Sequence, residues 1–216
     1  MRSIRFLLPV LLVAIVASRG TPARANSVLY WNEQVINVTR LSRNPPPIAA
    51  LHMATFHAAI FDTVNSVTRT HRSWLNHEPA PSNINLDAAI ASAAYTVLDK
   101  LWGQAANPRN VMIAYEKAIA AIPDGDAKAE GISWGKKIAE QILTERAKSG
   151  YDKPVPGQYT SNDPGLWRET PPGFRPAVLP HIAKCTPFVM TSCDQFRAPP
   201  PPALNSKEFA DELTYV

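Results

Sequence analysis

The residues RETPPGFRP, Arg168 to Pro176, set two arginines seven positions apart on a proline-stiffened stretch. Each guanidinium offers a planar fork of donors, so Arg168 and Arg175 together could grip a phosphate-like oxyanion. Five histidines are available for proton transfer or metal binding: His52, His57, His71, His77 and His181. His52 and His57 fall in one apolar segment, but five positions of a helix turn them about 140° apart, a poor arrangement for a shared metal. Asp62, five beyond His57, is a carboxylate among apolar neighbours and needs a partner, either an arginine or a helix N-terminus. Cys185 and Cys193, eight positions apart, are a candidate disulfide in an oxidising compartment, with two free thiols as the alternative. No Cys or His pair stands around them at zinc-ligand spacing. The chain has no Gly-x-Ser-x-Gly turn, no Walker loop and no His-Glu-x-x-His.

Those groups must be placed by what surrounds them, beginning with a leader. Arg2 and Arg5 precede the apolar run Phe6 to Ala17, and Ala23-Arg24-Ala25 gives a cleavage site before Asn26. This three-part pattern predicts a signal peptide over residues 1–25, cleaved after Ala25, and a secreted or periplasmic protein. The run is too short to span a bilayer, and no later segment approaches that length. The leader's four arginines account for the whole charge excess. Without them, 18 basic residues face 18 acidic ones. A chain of zero net charge lacks the basic face that a nucleic-acid partner requires.

Residues 26–150 read as a bundle of about five helices. The first, SVLYWNEQVINVTRLS, sets Leu29, Val35 or Ile36, and Leu41 near one stripe, and Pro45-Pro46-Pro47 stops it. The second, from Ile48 to Val67, is apolar nearly all round, as in a helix buried on most faces. Asn85 caps a third helix from Leu86 to Trp102, with Ile90, Ala94, Val97 and Leu101 inward. Asn107-Pro108 opens a fourth carrying Met112, Tyr115, Ile119 and Ile122. The fifth starts near Asp126, turns Ile132, Ile138, Ile142 and Leu143 inward, and stops at Gly150 as a C-terminal cap. No stretch alternates with period two, so the fold class is all-α. Residues 151–216 are a proline-rich wrapping segment, with 12 of the chain's 21 prolines lying from Gly150 onward. Tyr159, Trp167, Phe174, Phe188, Phe196 and Phe209 are its expected anchors. Ser206 is positioned to cap the start of a further helix.

Three stretches carry a resemblance: NSVLYWNEQVI, PPPIAALHMATFHAAIFDTVNSV, and WRETPPGFRPAVLPHIAKCTPFVMTSCDQFRAPPPPALNSKEFADEL. Together they resemble the N-terminal half of secreted bacterial proteins related to vanadium-dependent haloperoxidases and type 2 phosphatidic acid phosphatases. The resemblance implies an all-α bundle whose oxyanion pocket binds vanadate or a substrate phosphate. It also implies three pocket motifs: Lys-x6-Arg-Pro, Pro-Ser-Gly-His, and Ser-Arg-x5-His-x3-Asp. The second and third are absent from this sequence. Arg168-x6-Arg175-Pro176 mimics the first with Arg for Lys, but its neighbours match a stretch that the family shows upstream of its pocket. No catalytic residue is therefore carried over, and no cofactor is expected in this chain; vanadate is expected only in a complete family member. Three readings follow: the front half of such a protein, completed by a C-terminal half or a homo-oligomer partner; an exported binding or structural module; and, last, an anion-binding enzyme using Arg168, Arg175 and a histidine such as His181. The first carries the expectation that the chain is inactive alone. In it the strap is anchored by Trp167 and Phe174, and its arginines pair with buried acids such as Asp62.

Overall fold

The structure, a computed structural model, describes residues 26–103, 108–153 and 163–215. The predicted leader, Asn107 and Tyr159 lie outside the described residues. Among those described the chain is all-α: α1 (Ser27–Ser42), α2 (Pro46–Thr68), α3 (Leu86–Trp102), α4 (Pro108–Ala120), α5 (Asp126–Ala147), a 3-10 turn (Pro180–Lys184) and α6 (Lys207–Tyr215).

Local chemistry sets most of the helix starts. Asn26 and Asn85 each accept a backbone N–H from inside the helix they open, at 2.9 and 3.0 Å. Pro46 and Pro47 occupy the first turn of α2, where their missing donors cost nothing. Ser206 caps α6 through the Phe209 N–H at 3.1 Å. The end of α5 differs from the expectation. The helix stops at Ala147, its last turn is tightened by Lys148 and Ser149 bonding to the Glu145 and Arg146 carbonyls, and Gly150 takes its left-handed turn (φ +85°) only after that.

The bundle is arranged around α3, which packs on α1, α2, α4 and α5. Its sequence explains why: Ala88, Ala89, Ala91, Ala93 and Ala94 are all buried, and such small side chains let helix axes approach. The closest approach is to α5. A Cβ on Gly135 would stand 2.0 Å from the Ala89 carbonyl oxygen, and one on Gly131 would stand 2.5 Å from that of Asn85. Polar stitches hold the same crossing: the Asn85 N–H donates to the Ala127 carbonyl and the Ser92 hydroxyl to that of Ile132, at 2.8 and 2.7 Å. Trp31, Val35, Phe56, Val97, Leu98, Trp102, Ile138 and Ile142 fill the interior.

The stripe expected for the first helix is rotated. Leu29 and Leu41 are 64% and 62% exposed, while Trp31, Val35, Val38 and Ser42 face inward. Trp31 is the largest apolar side chain of the helix, and seating it turns Leu29, two positions and about 200° away, to the outside. In α4, Val111 and Ala114 are buried and Met112 is exposed, for a similar rotation.

Candidate functional site

Asp62 stands within α2 with no solvent exposure, and its carboxylate is satisfied without any arginine. The backbone N–H groups of Trp74, Leu75 and Asn76 all donate to it at 2.8 Å, one to Oδ1 and two to Oδ2. This corrects the expected pairing with Arg168 or Arg175. Three amides of a loop meet one carboxylate, which is the charge-assisted arrangement that a buried acid needs. Asn65, one turn further along α2, extends the clamp. Its Nδ2 donates to the His71 carbonyl and the Ser73 hydroxyl, and its Oδ1 accepts from the His71 N–H at 2.9 Å. The connector between α2 and α3 is thereby fixed to the helix that precedes it.

From that connector Trp74 reaches the C-terminal strap. Its Nε1–H donates to the Phe188 carbonyl at 2.6 Å, and the two rings lie 5.3 Å apart. On the same aromatic ring sits Arg146, whose guanidinium carbon is 3.9 Å from the Phe188 centroid. Arg146 is buried, donates to the Thr186 carbonyl at 3.0 Å, and leaves its Nε without a partner. Beside it the His181 ring meets the Tyr151 carbonyl through Nε2 at 2.7 Å. The Tyr151 ring lies edge-on to His52, which also meets Trp102 edge-on. These side chains, from α2, the connector, α3, α5 and the strap, bring several chemically capable groups together.

The chemistry of that gathering is restrained by its dryness. Burial lowers the pKa of His52, keeping it neutral, and leaves its Nδ1 without a partner. Burial raises both the Tyr151 phenol and the Cys185 thiol, with the neighbouring Cys193 adding to the latter. A thiol held protonated is a poor nucleophile. The two cysteines stand as separate thiols instead of the candidate disulfide: Cys193 Sγ is turned to the Cys185 carbonyl at 3.1 Å, and Cys185 Sγ to that of His181 at 3.7 Å. The gathering is therefore a polar seam seating the strap, with no general base poised over a nucleophile.

The other sequence candidates are not brought together. Arg168 and Arg175 are both exposed, as are Trp167 (43%), Phe174 (58%) and Phe196 (79%). Anchoring of the strap is seen at Phe188, which meets Trp74 and Arg146, at Thr186, whose N–H donates to the Ser149 carbonyl, and at His181, which meets the Tyr151 carbonyl. His57 is half-buried on α2, away from the seam, and His71 and His77 are exposed in the connector. Among the described residues no three of His, Cys, Asp and Glu are grouped as metal ligands. Among the described residues, a cleft of about 920 Å³ runs between Leu75–Pro79 and the Lys137–Lys148 face of α5; another of about 820 Å³ is lined by the stacked Tyr95 and Tyr115. One of about 410 Å³ lies within Ala183–Arg197, and one of about 250 Å³ between α1, α3 and α4. Neither Arg168 nor Arg175 lines any of these four.

Arg146 is the site residue that the sequence reading passed over. Its signal was present: it follows Ile138 and Ile142 at steps of four, so it lies on the buried stripe of α5.

No family model and no curated protein matches this chain. In fold it is similar to a solved structure described as the first bacterial vanadium-dependent iodoperoxidase, with a TM-score of 0.69 and 22% identity. That likeness covers 87% of this chain and 49% of the iodoperoxidase chain, so this chain spans about half of the other's length.

Proposed function

We propose that this chain is the scaffold-bearing half of a vanadium-haloperoxidase-like protein, exported from the cell and without oxyanion chemistry of its own. The observation that carries the reading is the coverage: nearly all of this chain matches about half of the iodoperoxidase. The placement of cations supports it. An oxyanion pocket needs several donors converging on one sheltered point. Here Arg168 and Arg175 are exposed, while the buried Arg146 is turned to a carbonyl and an aromatic ring. These residues do not fit vanadate, and no step is assigned to it. What the chain does supply is a rigid frame: the α3–α5 crossing and the Asp62 clamp hold helices and connector in fixed relation.

The test is direct. Purified protein is assayed for iodide and bromide oxidation with vanadate and peroxide, and for phosphate-ester hydrolysis. The expected result is turnover indistinguishable from buffer. Activity abolished in Arg175→Ala but kept in an exposed control such as Lys136→Ala would sink the scaffold reading and restore the strap arginines as an anion site.

A second reading, an exported non-catalytic binding module, is favoured by the exposed aromatics of the strap. A monodisperse, cooperatively unfolding chain that captures a ligand through Trp167 or Phe174 would favour it over the first.

A further inference from the structure

Three of the hydrogen bonds that seat the strap on the bundle come from Thr186 and Phe188. The Thr186 N–H donates to the Ser149 carbonyl at 3.0 Å, the Thr186 carbonyl accepts from Arg146 at 3.0 Å, and the Phe188 carbonyl accepts from Trp74 at 2.6 Å. Both residues lie between Cys185 and Cys193. Cys193 Sγ stands 3.1 Å from the Cys185 carbonyl oxygen, against the backbone of the other cysteine. Cys185 Sγ is turned to the His181 carbonyl at 3.7 Å. A thiol is a weak donor, so a rotation about the Cys185 Cα–Cβ bond gives up little in freeing that sulfur to meet its neighbour. Cys185 is buried and Cys193 exposed, and both line the cleft of about 410 Å³ within Ala183–Arg197. A small molecule entering that cleft meets Cys193 first.

We propose that Cys185 and Cys193 form a redox clasp, closed by thiol–disulfide exchange with a small-molecule disulfide, that locks the Phe188 loop onto α5 and the connector. The Cys193 thiolate attacks one sulfur of the incoming disulfide. A mixed disulfide forms, and the first small thiolate leaves and takes up the proton that Cys193 gave up. Cys185, as its thiolate, then attacks the Cys193 sulfur. The second small thiolate leaves with the Cys185 proton, and the Cys185–Cys193 bond is made. Two electrons pass from the protein to the incoming disulfide, which ends as two thiols. Arg146 assists the second attack, since its positive charge favours the Cys185 thiolate against the effect of burial. The new bond closes a ring around Thr186 and Phe188. A ring has fewer conformations to lose than an open loop when it settles on the bundle, so oxidation favours the seated strap.

The experiment equilibrates the full chain, native and initially reduced, with oxidised glutathione. The intact mass should fall by two hydrogens, and digestion should yield a peptide joining Cys185 to Cys193. Amide exchange at Thr186 should slow by roughly tenfold relative to the reduced protein, and dithiothreitol should restore the faster rate. Cys185→Ser should stop at a glutathione adduct on Cys193. Cys193→Ser, at an exposed position, should keep the urea midpoint of the reduced protein and take up no glutathione, its remaining thiol being buried. A lasting glutathione adduct on Cys193 of the unsubstituted chain, a bond between two copies through Cys193, or no oxidation at all overturns the clasp. A Cys185–Cys193 bond that leaves exchange at Thr186 unchanged also overturns it, because the ring then closes without locking the strap.

Discussion

Asp62 shows how much one side chain can organise. Replacing it with alanine leaves three loop amides, one buried and two part-buried, without their acceptor, which is expensive. Asp62→Ala is expected to lower the unfolding free energy by about 3 kcal/mol or more, read from urea titration. His52 makes a second prediction, of opposite character. Burial holds its folded-state pKa below the ordinary 6.5, so as pH falls the unfolded chain takes up the proton first. Stability is therefore undiminished above about pH 6.5, declines as pH drops below it, and levels once the folded-state value is passed. His57 acts in the same direction. In urea titrations at pH 7.5 and 5.5, His52→Gln should narrow the difference between the two midpoints. Neither Asp62's partners nor the drying of His52 could be read from the sequence in detail. A bare backbone N–H has no letter, and the amides that bind Asp62 lie 12 to 14 positions along the chain. The sequence did expose the underlying demand, since a carboxylate in an apolar helix must be paired.

Among the elements, the crossing of α3 and α5 carries the sharpest dependence on side-chain size. Gly135→Ala sets a methyl group against a backbone carbonyl that cannot rotate away. Its expected cost is at least about 1–3 kcal/mol in chemical denaturation, the range for overpacking, with the helices forced apart. The helices themselves were legible because their determinants are local: Asn85 and Ser206 as caps and the proline pair opening α2 all act within one turn. Facing was less legible. For the first helix, counting apolar residues favoured Leu29 and Leu41, but the bundle selects the face that seats Trp31. The strap was the least legible, since aromatic content alone does not reveal which rings find a surface. Phe188 does, between Trp74 and Arg146, whereas Phe174 and Phe196 are 58% and 79% exposed. Phe196→Ala, at the most exposed of these rings, should thus change stability by less than about 0.5 kcal/mol. Trp31→Ala in the core should cost about 3–5 kcal/mol. The pair of denaturation curves checks both.

For the whole molecule, the fold unites a well-sealed bundle with a strap that touches it at a few points. Its thiols should report that division. After brief exposure of the native protein to a thiol reagent, the exposed Cys193 should react while Cys185 lags, and unfolding should bring the total to two. One slow and one fast phase is the expected outcome; no reaction even when unfolded would mean that the sulfurs are bonded. The tryptophans divide the same way. Trp31, Trp102 and Trp134 lie inside, Trp74 is pinned at the seam by its bond to Phe188, and Trp167 stands on the strap. The protein therefore has two optical populations within one chain. A water-borne quencher would extinguish the long-wavelength emission of Trp167 and leave the blue emission of the interior. A ligand captured at the strap, as the binding-module reading requires, could be timed by the shielding of that one indole, without any added label.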